Sequence, residues 1–221
     1  MNYLQLVNDF LTESSLSDPV GAIGSDNYEG RKSALWVKDS WIEIQRARRW
    51  KFRWAEGSFS MVVNQGVYTL ADLTLTSGVA FVNSEFFLVD TLGKRHPLTQ
   101  KSPSEIKSKN RISTESGTPR FIAEKLNGDL EFYPKPDTTF SIEYEYYVAP
   151  VTLTTDLDVP SMPPEYHKAI TWKALENYAR EEGAEWRGLY QTALRNYSGI
   201  YTELVNTQLP PLHKGGSPLK S

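Results

Sequence analysis

Between residues 32 and 54 the chain reads KSALWVKDSWIEIQRARRWKFRW, with no Gly or Pro to interrupt it. Ala34, Val37, Trp41, Ile44 and Ala47 recur at alternating steps of three and four, and Leu35 and Ile42 widen the stripe, so the segment predicts one long amphipathic helix. Past Arg49 the pattern changes. In Trp50-Lys51-Phe52-Arg53-Trp54 rings and bases alternate with the period of two that belongs to an extended segment. A helix that hands over to a strand through an aromatic cluster must dock on both a helical partner and a sheet, and the rest of the chain has to supply them.

The helical partners are visible at both ends. Leu4, Val7 and Leu11 share one face of a short helix that dies in the polar run Thr12-Glu13-Ser14-Ser15. Pro19, Gly21 and Gly24, set among acids, predict an exposed irregular loop before the long helix begins near Gly30. Near the C-terminus, Pro163-Pro164-Glu165 is a helix start, with proline tolerated in the first turn and an acid favoured by the macrodipole. The stripe Tyr166, Ala169, Ile170, Trp172, Ala174, Leu175 and Tyr178 then runs to Glu182, where Gly183 breaks it. A second helix carries Trp186, Leu189, Tyr190, Ala193, Leu194, Tyr197, Ile200, Tyr201 and Leu204.

The sheet lies between. Short β-branched or aromatic segments at 59–63, 67–70, 79–82, 86–91, 121–125, 130–133 and 140–148 are separated by turn residues and predict strands. Asn127-Gly128 predicts a two-residue type I′ hairpin turn. In 141–146 carboxylates alternate with apolar residues, giving one buried and one wet face. Residues 100–117 are basic, polar and unpatterned, and predict a projecting loop with one helical turn at 103–107. Together these elements predict an α+β fold. A helical body, made of the N-terminal helices and the C-terminal helical pair, carries an inserted antiparallel β-sandwich or barrel. The divisions fall at 1–56, 57–158 and 159–208, with 209–221 as an extended C-terminal arm whose composition cannot pack a core.

Composition removes several kinds of chemistry. Zero cysteines in 221 residues exclude disulfides, thiolate zinc sites and cysteine nucleophiles. No apolar run approaches the roughly 20 residues that span a bilayer, and MNYLQLVNDF lacks the basic start of a signal peptide, which predicts an aqueous, cytoplasmic setting without membrane. A net charge of −3 argues against a nucleic-acid coat. Aromatics at 12% are abundant, and Tyr and Trp favour interfaces as well as cores.

Charge is distributed unevenly. The first 30 residues hold five acids and no Lys or Arg, whereas residues 31–56 hold eight bases and three acids. This reversal predicts that Asp18, Asp26 and Glu29 pair with Arg46, Arg48 and Arg49, within a subunit or between subunits.

Residues that might carry chemistry have simpler readings. His96, His167 and His213 lack metal-binding spacing; His96 and His213 read as solvated, and His167 as a capping or packing residue at a helix start. Glu143 and Glu145 share the wet face of one strand, a geometry a glycosidase can use, but exposed strands carry such acids for solubility. Asp156 and Asp158 form a similar pair. Neither a nucleophile elbow nor a phosphate-binding glycine loop occurs, and no cofactor is predicted. The run Arg49-Trp50-Lys51-Phe52-Arg53-Trp54 offers bases for phosphates and rings for bases, yet its alternation also fits a half-buried strand with the rings inward.

Taken in order, these features resemble the head–tail adaptor proteins of tailed bacteriophages. The likeness is carried by the two N-terminal helices with their acidic loop, by Trp36-Val37, Ile42-x-Ile44-Gln45 and Trp50-x-Phe52, and by Gln65-Gly66-Val67-Tyr68-Thr69-Leu70 and Gly117-Thr118-Pro119. It continues through Leu130-x-Phe132-x-Pro134-x-Pro136-Asp137, Val159-Pro160 and Pro164-x-Tyr166-His167-x-Ala169-Ile170. Residues 100–117 depart from it. The resemblance, which extends to the tail tubular protein A of short-tailed phages, implies a non-enzymatic virion protein. It implies a ring of twelve copies between the portal protein and the tail or neck proteins, around a channel through which dsDNA passes without sequence-specific binding. The composition of the arm suits either a frayed tail without a role or a docking segment, with Leu209, Leu212 and Leu219 as anchors, Pro210 and Pro211 limiting the disorder lost, and Lys214 and Lys220 attracted to an acidic rim; the resemblance implies docking on the portal. A different class, a β-sandwich module for a glycan or host receptor, would need an exposed aromatic platform. A hydrolase would need Glu143 or Glu145.

Overall fold

The computed structural model describes residues 1–24, 27–73, 75, 85–90, 92–112 and 115–209. The fold is α+β. Its helices are α1 (Tyr3–Ser14), α2 (Tyr28–Ala47), α3 (Pro103–Ile112), α4 (Lys168–Glu182) and α5 (Arg187–Gln208). Its strands are β1 (Trp54–Ser60), β2 (Val67–Tyr68), β3 (Phe86–Val89), β4 (Arg95–Pro97), β5 (Thr99–Gln100), β6 (Phe121–Glu124), β7 (Leu130–Tyr133) and β8 (Ser141–Tyr147). Two compact units result, one from Met1–Arg53 with the chain from Pro150 onward, the other from Trp54–Ala149.

In the helical unit, α1 starts at a capping box in which Asn2 and Gln5 each bond the other's backbone N–H, satisfying donors that the first turn leaves orphaned. It buries Leu6, Val7, Phe10 and Leu11. Asn27 caps α2 by accepting from the Gly30 N–H, and α2 buries Ala34, Val37, Trp41 and Ile44 against α1 and α4. α4 is the central helix, with Ala169, Ile170, Thr171, Ala174 and Leu175 fully enclosed. Gly183, at φ 99°, ends it, and α5 packs back along it.

The long segment departs from its predicted form. The helix ends at Ala47, which is exposed, and Lys51–Arg53 is a 3-10 turn, so the strand begins only at Trp54. Rings spaced two apart reflect stacking here, not extension. Phe52 lies between Trp41 and Trp50, with ring centroids at 5.9 and 5.8 Å, and the Trp50 indole N–H donates to the Ile44 carbonyl. Leu35 does not widen the core stripe either; it is 54% exposed.

The second unit holds two four-stranded sheets, ordered β1-β8-β3-β4 and β2-β7-β6-β5. They share one core, to which Phe86, Leu88, Ile142 and Tyr144 come from the first sheet and Tyr68, Ile122, Leu130 and Phe132 from the second. β1 and β8 pair in full register from Trp54↔Tyr147 to Ser60↔Ser141. The strand expected at 79–82 lies outside the described residues. Residues 95–100 form β4 and β5, too short for periodicity to reveal, and β5 runs parallel to β6 in an otherwise antiparallel arrangement. At Asn127-Gly128 only the glycine has positive φ, and Lys125 exchanges bonds with Asp129 and Gly128. This is a three-residue hairpin loop, not the predicted type I′ turn.

Residues 100–117 also depart from their predicted form. Instead of a loop with one helical turn they contain α3, ten residues long. Ser102 and Glu105 form its capping box, and Pro103 occupies the first turn. The Ser102 N–H and Lys101 hold the Glu105 carboxyl down at about 2. Ile106 is fully buried, against Ala123 and Tyr133.

Candidate assembly surfaces

The described histidines and several carboxylates are engaged within the fold. His96 bonds Asp90 at 3.0 Å in a surface turn. His167 is buried, its Nδ1 2.7 Å from the Met1 amino group and its Nε2 2.8 Å from the Met162 carbonyl; burial holds its pKa below the ordinary value. His213 lies outside the described residues. Among the described residues no group of three or more His, Asp and Glu is placed to hold a metal ion.

On the first sheet a shallow groove of about 410 Å³ is lined by Glu56, Glu85, Phe87, Arg95, Glu143 and Glu145. The Glu143 carboxylate is engaged by the Arg95 guanidinium at 2.7 Å, and Glu56 stands directly opposite Glu145. The rings a glycan platform would use face mostly inward: Phe86, Phe132 and Tyr144 are buried, Phe87 and Tyr146 half-buried. Asp156 and Asp158 are likewise built into the backbone. The Asp158 carboxylate accepts from the Thr155 hydroxyl and the Thr154 and Thr155 N–H groups, which hold its pKa well below the usual carboxylate range.

The rings of the basic–aromatic run are engaged with other rings: Trp50 is buried, Phe52 stacks on Trp41 and Trp50, and Trp54 stacks on Tyr147. Arg53 donates to the Gln45 carbonyl. Arg46, Arg48 and Arg49 are exposed. They lie at one end of α2 or just past it, while Glu29 lies in its first turn and Asp18 in the loop before it. A 20-residue helix is about 30 Å long, so these acids and bases are far apart within one subunit. Asp26 lies outside the described residues. Among the described residues, none of Asp18, Glu29, Arg46, Arg48 and Arg49 is in an ion pair, although Asp9 and Glu13 meet Lys168, Lys32 meets Glu182, and Lys173 is held between Glu43 and Glu176. Glu29 and Arg46 also suit the helix macrodipole at their respective ends.

Sequence reasoning missed an apolar face. Tyr28 and Leu35 are exposed and Ile42 is half-exposed on α2, and Leu157 and Val159 project from the segment before α4. Their spacing of seven along α2 was a readable signal. Of the C-terminal arm, Leu209 closes α5 by donating its N–H to the Val205 carbonyl; Pro210, Pro211, Leu212, Lys214, Leu219 and Lys220 lie outside the described residues.

A protein whose helical unit keeps unpaired charge and apolar side chains on its outside, with His96, His167, Glu143 and Asp158 engaged structurally, reads as a component of an assembly. Residues 1–209 match the family model described as SU10 adaptor protein. The chain belongs to that family. The SU10 adaptors give it the structural role of a phage head–tail adaptor, and hence a place in the virion. The match ends at Leu209, where α5 has just closed. No curated protein matches the chain. Among the described residues no helix is long and apolar enough to cross a membrane.

Proposed function

We propose that this adaptor is a non-enzymatic ring subunit, present in twelve copies between the portal protein and the tail or neck proteins, whose ring continues the channel for dsDNA. The observation that carries the reading is the set of unpaired charges on the helical unit, with Asp18 and Glu29 at one end of α2 and Arg46, Arg48 and Arg49 at the other. Opposite charges too far apart to meet within a subunit can meet between neighbours, and such contacts weaken as salt screens them. The arm from Leu209 onward fits a portal-docking role, since its prolines limit the disorder lost on binding and its leucines can anchor in shallow pockets.

Mass photometry of the purified chain with and without portal tests this. Monomers or small oligomers alone, and a ring on the portal, are expected. Stable rings in high salt without a portal would count against the charge-pairing account, and a density map of intact particles that lacks the ring would end the proposal. Deleting residues 209–221 should leave folding unchanged and abolish attachment to portal-bearing heads.

A further inference from the structure

We propose that the outer face of α2 in one copy binds the 154–159 segment of the next copy; this rests on the ring reading above and identifies the surfaces it uses. Tyr28, Leu35 and Ile42 recur every seven residues. Because seven residues close two helical turns to within about 20°, they form one nearly straight stripe. The stripe lies on the side of α2 away from Ala34, Val37, Trp41 and Ile44, which are buried. Tyr28 is 65% and Leu35 54% exposed. A surface helix ordinarily turns its apolar side chains inward, so a second stripe on the outside signals a second contact. Arg31 and Lys38 flank it and Arg46 extends it, none in an ion pair among the described residues, while the exposed Asp39 is the one acid on the stripe, between Leu35 and Ile42.

The 154–159 segment, Thr-Thr-Asp-Leu-Asp-Val, complements that face. Leu157 is 78% and Val159 62% exposed, on either side of Asp158. No Lys or Arg occurs from Pro150 to His167, so the segment brings acids and apolar side chains without a base to repel α2. Its backbone is already fixed. The carbonyls of Asp156 and Asp158 accept from the Leu4 and Tyr3 N–H groups, and the Asp158 carboxylate holds Thr154 and Thr155. A preformed loop loses little freedom on docking. Apolar burial would supply affinity, and base against acid would set the orientation. A contact between two different patches is heterologous, the kind that propagates around a ring.

The absence of cysteine makes the test direct. Leu35→Cys and Leu157→Cys proteins are purified separately, mixed and treated with a short thiol cross-linker; a covalent pair containing one of each forms only between chains. Leu126→Cys, at an exposed hairpin tip of the other unit, replaces Leu157→Cys in the control. The L35C–L157C pair should exceed the control about tenfold at low salt and keep only part of that excess at 1 M salt, where the Debye length is about 3 Å and charge no longer aids the orientation. Pairing at the control level in protein that associates by mass photometry overturns this assignment and leaves the ring reading standing. Protein that neither associates nor cross-links, alone or on a portal, overturns both. An adduct of L35C with another protein in assembled particles gives the face to that protein and overturns the proposal.

Discussion

Gln45 and Val151 are joined by two hydrogen bonds of 2.9 Å each, one from the Gln45 Nε2 to the Val151 carbonyl and one from the Val151 N–H to the Gln45 Oε1. The buried side-chain amide acts as a surrogate peptide, pairing with the returning chain as a neighbouring strand would and pinning it to α2. Gln45→Leu keeps the volume but leaves both backbone groups of Val151 without these partners. Stability should fall by about 1–3 kcal/mol, read from urea unfolding. An unchanged midpoint would mean that water replaces the amide.

Trp50 closes the same end of the helical unit. It is fully buried, stacks on Phe52, meets Tyr201 edge-on and donates to the Ile44 carbonyl. Trp50→Ala should cost about 3–5 kcal/mol, and Trp41→Ala a similar amount. Wild-type stability in either variant would show that the aromatic cluster contributes little.

In the β unit the critical close approach is between Gly57 and Tyr144, which face each other across β1 and β8. A methyl group at Gly57 would come within 2.5 Å of the Tyr144 ring. That ring is buried, and its hydroxyl donates to the Leu73 carbonyl, so it cannot simply swing away. Gly57→Ala is expected to lower stability by about 1–3 kcal/mol. Combining it with Tyr144→Phe, which frees the ring from Leu73, should cost less than the sum of the two changes, as contacting residues are not additive.

Acid should weaken the helical unit through His167. Burial lowers its pKa in the folded protein, whereas the unfolded chain takes up the proton near pH 6.5. The unfolded state therefore binds more protons in that range. The stabilising contribution is fully present above about pH 6.5 and is lost as pH falls below it. Urea midpoints should drop between pH 7 and pH 5, and His167→Gln should flatten that slope. Identical slopes in both proteins would assign the acid sensitivity to other groups.

The helical stripes were legible where each repeats the same demand several times, as in the run from Ala169 to Tyr178 in α4. In α1 the spacing picked out Val7 and Leu11, which are buried, but it put Leu4 in the stripe, which is only partly buried, and passed over Leu6 and Phe10, which are fully buried. α3 was not legible, since among its described side chains Ile106 is the one apolar residue that is fully buried; the readable signal was the Ser102-x-x-Glu105 capping box with Pro103 in the first turn. Leu35 and Ile42 follow directly after the buried Ala34 and Trp41, so a widened core stripe and a separate outer stripe give the same local pattern. Only the positions of α1 and α4 around α2 decide between them. Clustered acids and bases were visible as composition, but their separation by the length of α2 required the fold.

The pairing of Trp54 with Tyr147 has a modular consequence. Where the chain enters the β unit and where it leaves, β1 and β8 are adjacent partners in one ladder, about 5 Å apart as antiparallel neighbours are. The two cut points at Arg53 and Pro150 therefore face a gap that a few residues can bridge, and closing so short a loop carries little entropic penalty. Topologically the β unit is a cassette: it can be excised, exchanged or grown without rerouting the helical unit that holds it.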